Sequence, residues 1–121
     1  MAKEGFQQLW SYTAEATVPG QYEIVAKGTA DHQVTQAAVD TGFGVCVDGA
    51  SAAGDIVSVV VLGITKVKAG AAIATGVRFT SDSTGRAVTA NLAAEEVVGV
   101  TLSGASTANE LVTVVVAQSI Y

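Results

Sequence analysis

Two stretches of the chain alternate apolar and polar positions in step with each other. Residues 44–61 read GVCVDGASAAGDIVSVVV and residues 99–116 read GVTLSGASTANELVTVVV. Ten of the 18 positions are identical at a constant offset of 55, with no gap. Most differences keep the chemistry: Val47/Leu102, Asp55/Glu110, Ile56/Leu111 and Ser58/Thr113. In the second copy Val98, Val100 and Leu102 alternate with Gly99 and Thr101, the period of a half-buried strand. GASTAN supplies turn chemistry, and LVTVVV returns as a second strand. Each copy therefore predicts an antiparallel hairpin with a loop of about six residues. Upstream the echo is fainter: VTQAA (34–38) against VTANLAA (88–94), with a small gap. The duplication implies two similar halves, and suggests a pseudo-twofold between them.

The return strands are apolar on both faces. Val57, Val59 and Val61 share one side, and Ile56, Ser58, Val60 and Leu62 the other. A free antiparallel sheet normally keeps one face polar. The second face must be covered by a loop, the other half of the domain or a neighbouring subunit. Between the copies, residues 65–69 predict a short strand with Lys66 and Lys68 on one side, and AGAAIATG a compact turn or a short helical turn. VRFTSDSTGRAVT predicts a further hairpin with Gly85 at positive φ in its tip, and LAAEE (92–96) one helical turn. The pattern is all-β: a small antiparallel barrel or sandwich built from eight to ten short strands.

Residues 1–18 differ in kind. Phe6, Leu9, Trp10 and Tyr12 cluster there, and the chain's single Pro, Pro19, follows with Gly20. We divide the chain into an N-terminal arm, 1–18, and a β domain, 19–121. The four large side chains are either core aromatics of a first strand or anchors that dock on a partner.

Composition sharpens this picture. The 121 residues hold 20 Val and 21 Ala against five Leu and five Ile, which favours strands. The length suffices for one domain with a core that needs no staples. Cys46 is the only cysteine, so no internal disulfide forms. The net charge is −5 with six basic residues scattered along the chain, which argues against nucleic acid as a partner. The longest apolar run, IVSVVVLGI, is too short to cross a membrane as a helix, and MAKEGFQQLW lacks a secretory pattern. The expected place of synthesis is a cytoplasm.

Candidate chemistry adds little. The one histidine, His32, neighbours Asp31, but strand neighbours point to opposite faces. No spacing of His, Cys and carboxylates fits a metal, and neither a nucleophile elbow nor a phosphate loop occurs. Asp48, Asp55 and Asp82 read as turn caps. The chain reads as a non-enzyme without catalytic residues, cofactor or metal.

KVKAGAAIATGVRFTSDSTGRAVTA followed by EEVVGVTLSGASTANELVTVVV resembles the capsid cement, or head-decoration, proteins of tailed bacteriophages. Ala69-Gly70, Ile73, Gly76, Gly85-Arg86, Val98-Gly99 and residues 112–116 fall in register with that family's glycine and valine positions, and the likeness covers residues 18–118. GVRF departs from the pattern, since many relatives carry an acidic residue after the glycine. The resemblance implies a β-rich virion protein, usually a homotrimer, that binds the outer capsid surface and bridges major capsid protein subunits. Phe6, Leu9, Trp10 and Tyr12 would then be its partner-binding residues. The other open reading is a carbohydrate- or surface-binding β module of a phage tail or fibre.

Overall fold

Dense β-branched residues punctuated by glycine turns give nine strands and, among the described residues, no helix. The computed structural model describes residues 7–15, 18–90 and 96–120. The strands are β1 (Gln7–Ala14), β2 (Glu23–Lys27), β3 (Gln33–Gln36), β4 (Gly44–Cys46), β5 (Ile56–Lys68), β6 (Arg78–Ser81), β7 (Ala87–Thr89), β8 (Glu96–Thr101) and β9 (Leu111–Ile120). The helical turn expected at 92–96 falls almost wholly outside the described residues, and its last residue, Glu96, begins β8.

The sheet closes twice. Its order is β1-β3-β2-β4-β5-β9-β8-β6-β7, and β1 also pairs with β5, so β1, β3, β2, β4 and β5 form a ring. The other four strands return to the end of β5 through a parallel bridge between Ala69 and Ala87. Two five-stranded barrels thus share the long strand β5. Closure removes exposed edges, which otherwise template aggregation.

The ladder registers extend the duplication to nearly the whole chain. Val45 pairs with Val60 and Cys46 with Val59; at the offset of 55, Val100 pairs with Val115 and Thr101 with Val114. Leu9 pairs with Val60 and Tyr12 with Val57; at the same offset Ile64 pairs with Val115 and Val67 with Val112. Val25 faces Gly44 as Phe79 faces Gly99, and Ala26 faces Thr35 as Thr80 faces Val88. One repeat therefore runs over 9–63 and the next over 64–118, and β5 is the last strand of the first and the first strand of the second. Val34 corresponds to Ala87, so the faint upstream echo is displaced by one residue from the alignment of Val34 with Val88.

Each barrel encloses its own apolar interior. The first holds Val25, Val34, Cys46, Val57 and Val59, with Tyr12 and Phe43 packed against them. The counterparts Phe79, Ala87, Thr101, Val112 and Val114 are all fully buried in the second. Val25 becomes Phe79 where Val34 becomes Ala87, a pair of exchanges that keeps interior volume. Each buried valine contributes about 1.5–3 kcal/mol of transfer free energy. Thr65, the counterpart of Trp10, is fully buried, and its hydroxyl has no hydrogen-bond partner among the described residues. An orphaned buried hydroxyl costs more than an apolar group of the same shape. Thr65→Val should therefore raise stability by about 1 kcal/mol in denaturant titrations; a destabilised variant would show that the hydroxyl is satisfied in solution.

The two hairpins share one loop design. The connections span 47–55 and 102–110, nine residues each rather than about six, because strand pairing stops early and side chains take over. Asp48 Oδ1 accepts the Ser58 N–H at 3.0 Å, and Ser103 Oγ accepts the Thr113 N–H at 2.9 Å. Asp55 Oδ2 accepts the N–H groups of Ser51 and Ala52 at 2.9 and 3.1 Å. Glu110 Oε1 accepts those of Ser106 and Thr107, both at 2.8 Å.

The halves are not related by a twofold. Lys68 of the second repeat sits 3.4 Å from Glu23 of the first, and Lys66 lies 5.5 Å from the Tyr22 ring centroid. Glu96 accepts the Gly42 N–H at 3.0 Å, and Gly85 O accepts the Ile24 N–H at 2.7 Å. A twofold would pair Thr13 with Val77 and His32 with Arg78 in return. Instead the Thr13 N–H donates to His32 O at 2.7 Å within the first repeat, and Val77 O accepts the Thr101 N–H at 2.9 Å within the second. The first repeat presents one face and the second a different one, which is a head-to-tail contact.

Candidate docking surface

The described part of the N-terminal arm is a strand. Residues 7–14 form β1, antiparallel to β5 from Ile56 to Gly63, with parallel contacts from Thr13 and Ala14 to β3. Phe6 lies outside the described residues. Leu9 and Trp10 are 48% and 52% exposed. They are neighbours on a strand, so their side chains leave opposite faces of the β1–β5 ladder. Tyr12 is half-buried and meets Phe43 edge-on, with ring centroids 5.7 Å apart and planes at 70°.

The outer face of this ladder carries more than the arm. Ile56, opposite Thr13, is 74% exposed, and Leu62, opposite Gln8, is 47% exposed. With Leu9 they place three large aliphatic side chains on one outward face. Ile56 and Leu62 could have been singled out from the sequence, because they lie on the second apolar side of the return strand. Their partner on that side, Val60, is buried by the other repeat.

Beside this ladder an open cavity of ≈ 490 Å³ is lined by Tyr12, Lys27, Asp31, His32, Phe43 and Glu96, among others. Lys27 Nζ donates to Gly28 O at 3.2 Å and Ala30 O at 2.5 Å, which closes the β2–β3 turn. His32 takes a left-handed conformation, φ 58°, in that turn. Its counterpart in the second repeat is Gly85 at φ 77°. The histidine is thus a solvated turn residue, with no metal ligand set around it among the described residues.

Several polar groups serve the loops. Asp82 closes the β6–β7 turn: its Oδ1 accepts the N–H groups of Thr84 and Arg86, both at 2.9 Å, and its Oδ2 faces Arg86 Nε at 3.0 Å. Burial opposes its ionisation, but these hydrogen bonds and the Arg86 charge prevail and hold its carboxyl below the ordinary range. Cys46 is buried, and burial pushes its thiol up, away from a reactive thiolate. Glu110 is held at about 2, first by the Ser106 hydroxyl, then by the backbone N–H groups of Thr107 and Ser106. A carboxyl depressed on folding stabilises the fold above its ordinary value of 4.5, and that contribution is lost as pH falls through about 2. Amide protection at Ser106 and Thr107 should therefore fall between pH 4.5 and 2. Glu110→Gln should flatten that dependence; an identical profile in the variant would refute it.

The family described as phage cement protein matches residues 9–118, which is the span of the two repeats end to end. In fold the chain is similar to the crystal structure of head fiber gp8.5 N base in bacteriophage phi29. The TM-score is 0.73 at 25% identity, covering 93% of this chain and 95% of that one. No curated protein matches.

Proposed function

The chain belongs to the phage cement protein family, which makes it a phage structural protein, and from that premise we propose that it is a homotrimer that binds the outer surface of the capsid and bridges neighbouring major capsid protein subunits. The observation that carries this reading is the exposure of Leu9, Trp10, Ile56 and Leu62 on a closed barrel, while Asp55, Asp82 and Glu110 are committed to turns and caps. Burying apolar surface contributes roughly 25 cal/mol per Å² before the cost of association. Many symmetric copies on a shell then add their contacts. Trp10 suits such a contact because its large rigid side chain buries area at low rotamer cost. Membership of the family and likeness to a head-fiber base both favour a place on the phage head over one on the tail. No enzymatic activity enters this reading.

Fractionation of disrupted virions tests it. The protein should sediment with DNA-filled heads at a fixed ratio to the major capsid protein. Recovery with tails or fibres instead would support a surface-binding module of those structures and overturn the cement reading.

A further inference from the structure

The first repeat concentrates chemistry at one place where the second repeat has none. The cavity of ≈ 490 Å³ takes Tyr12, Lys27, Asp31, His32 and Phe43 from the first repeat. At the register positions of Tyr12, Lys27, His32 and Phe43 the second repeat carries Val67, Ser81, Gly85 and Val98. Val67, Ser81 and Val98 are fully buried there. Two aromatic rings and the chain's only histidine thus converge on a space that the second repeat fills with small side chains.

The walls of this cavity are held in place from both repeats. The Gly42 N–H donates to Glu96 at 3.0 Å, and Gly42 O accepts from Gln118 Nε2 at 3.1 Å, so the second repeat fixes the loop that carries Phe43. The Phe43 N–H donates to Val25 O at 3.0 Å, and its ring meets Tyr12 edge-on. On the facing side, the Lys27 ammonium ties the β2–β3 turn, and His32 O accepts the Thr13 N–H at 2.7 Å. Backbone and rings are therefore ordered before a ligand arrives, which lowers the cost of binding one. The polar heads at the rim are left over. Among the described residues, the side chains of Asp31 and His32 and the Tyr12 hydroxyl have no hydrogen-bond or ion-pair partner.

We propose that this cavity binds a neutral sugar ring of a glycan, with the ring's C–H face against Tyr12 and Phe43 and its hydroxyls on Asp31, His32 and the Tyr12 phenol. A carboxylate only accepts hydrogen bonds, whereas an imidazole and a phenol both donate and accept. That mixture matches hydroxyl groups, which also do both. Lys27 sets a positive charge against Asp31 and Glu96, so the lining singles out neither a bare cation nor an anion. The aromatic rings supply the apolar surface that the C–H face of a sugar covers. The volume lies within the range of small-ligand clefts, about 300–1,000 Å³, and such clefts pair an apolar lining with a few convergent polar groups. Binding here needs no capsid, so the isolated chain suffices to test it.

Amide NMR titrations of the full chain provide that test, with methyl glucoside, methyl galactoside and N-acetylglucosamine as probes. At least one probe should shift the amides of Ala26, His32 and Phe43, saturably and in the millimolar range. His32→Gly keeps the turn, because its counterpart Gly85 holds the same left-handed conformation at φ 77°. It should fold as well as the parent chain and weaken binding about tenfold. Asp31→Ala changes an exposed side chain and should do the same. No shift with any of the three probes, shifts elsewhere on the surface, or shifts that persist at full strength in both variants would overturn the site. Guanidinium or acetate shifting these amides in place of every sugar would overturn the ligand class.

Discussion

Gly99→Ala is expected to cost about 3–5 kcal/mol and to abolish cooperative thermal unfolding near physiological temperature. Gly99 lies in β8, opposite Val116, where the register with β9 shifts. A Cβ there would overlap the carbonyl oxygen of Val115, which is backbone in a paired strand and cannot move aside alone. The same constraint recurs in the first repeat, where a Cβ on Gly44 would stand 2.6 Å from Val60 O. Gly76 is the contrast. Its φ is 75°, and nothing lies within 4 Å of the place a Cβ would take, so Gly76→Ala should cost only about 1 kcal/mol of backbone strain. Denaturant titration of the two variants decides; equal losses would show that the close strand approach at Gly99 relaxes freely.

Replacing both Leu9 and Trp10 by Ser should lower capsid affinity by about 100-fold or more while leaving the fold intact. Both side chains are about half exposed; Leu9 projects from the outer face, whereas Trp10 stands opposite the interior Val59, so the variant is expected to fold with some loss of stability. Deleting the arm is a poorer test. Residues 7–14 are a ladder strand that closes the first barrel, so truncation would open the ring whatever the aromatics do on the surface. Binding isotherms on expanded capsids, with circular dichroism as the control, separate the outcomes. A folded double variant that binds at full strength would remove these residues from the docking surface.

Much of this fold could be read from residue pattern. The hairpins 44–61 and 99–116 adopt the same register and loop bonds, because their alternating valines and their capping Asp55 and Glu110 are local signals. The rest of the repeat was hidden by divergence that packing tolerates. Val25 and Phe79 fill equivalent interiors, and Tyr12 matches Val67, so chemistry changed while register did not. Residues 7–14 could be read from sequence as a first strand or as a docking arm, because their aromatics look unlike the run 64–68 that occupies the same place in the second repeat. The site was legible only in part. Leu9 and Trp10 reach the surface and Tyr12 packs on Phe43, whereas Ile56 and Leu62 join the exposed face only through strand pairing over forty residues apart in sequence.

The central claim, that the protein reinforces the phage head, is tested most directly by the temperature at which capsids lacking it disrupt, measured before and after adding the purified protein. The expected result is a rise that saturates at a fixed ratio to the major capsid protein and is absent with the Leu9, Trp10 double variant. Saturable binding with no change in the disruption temperature would contradict it.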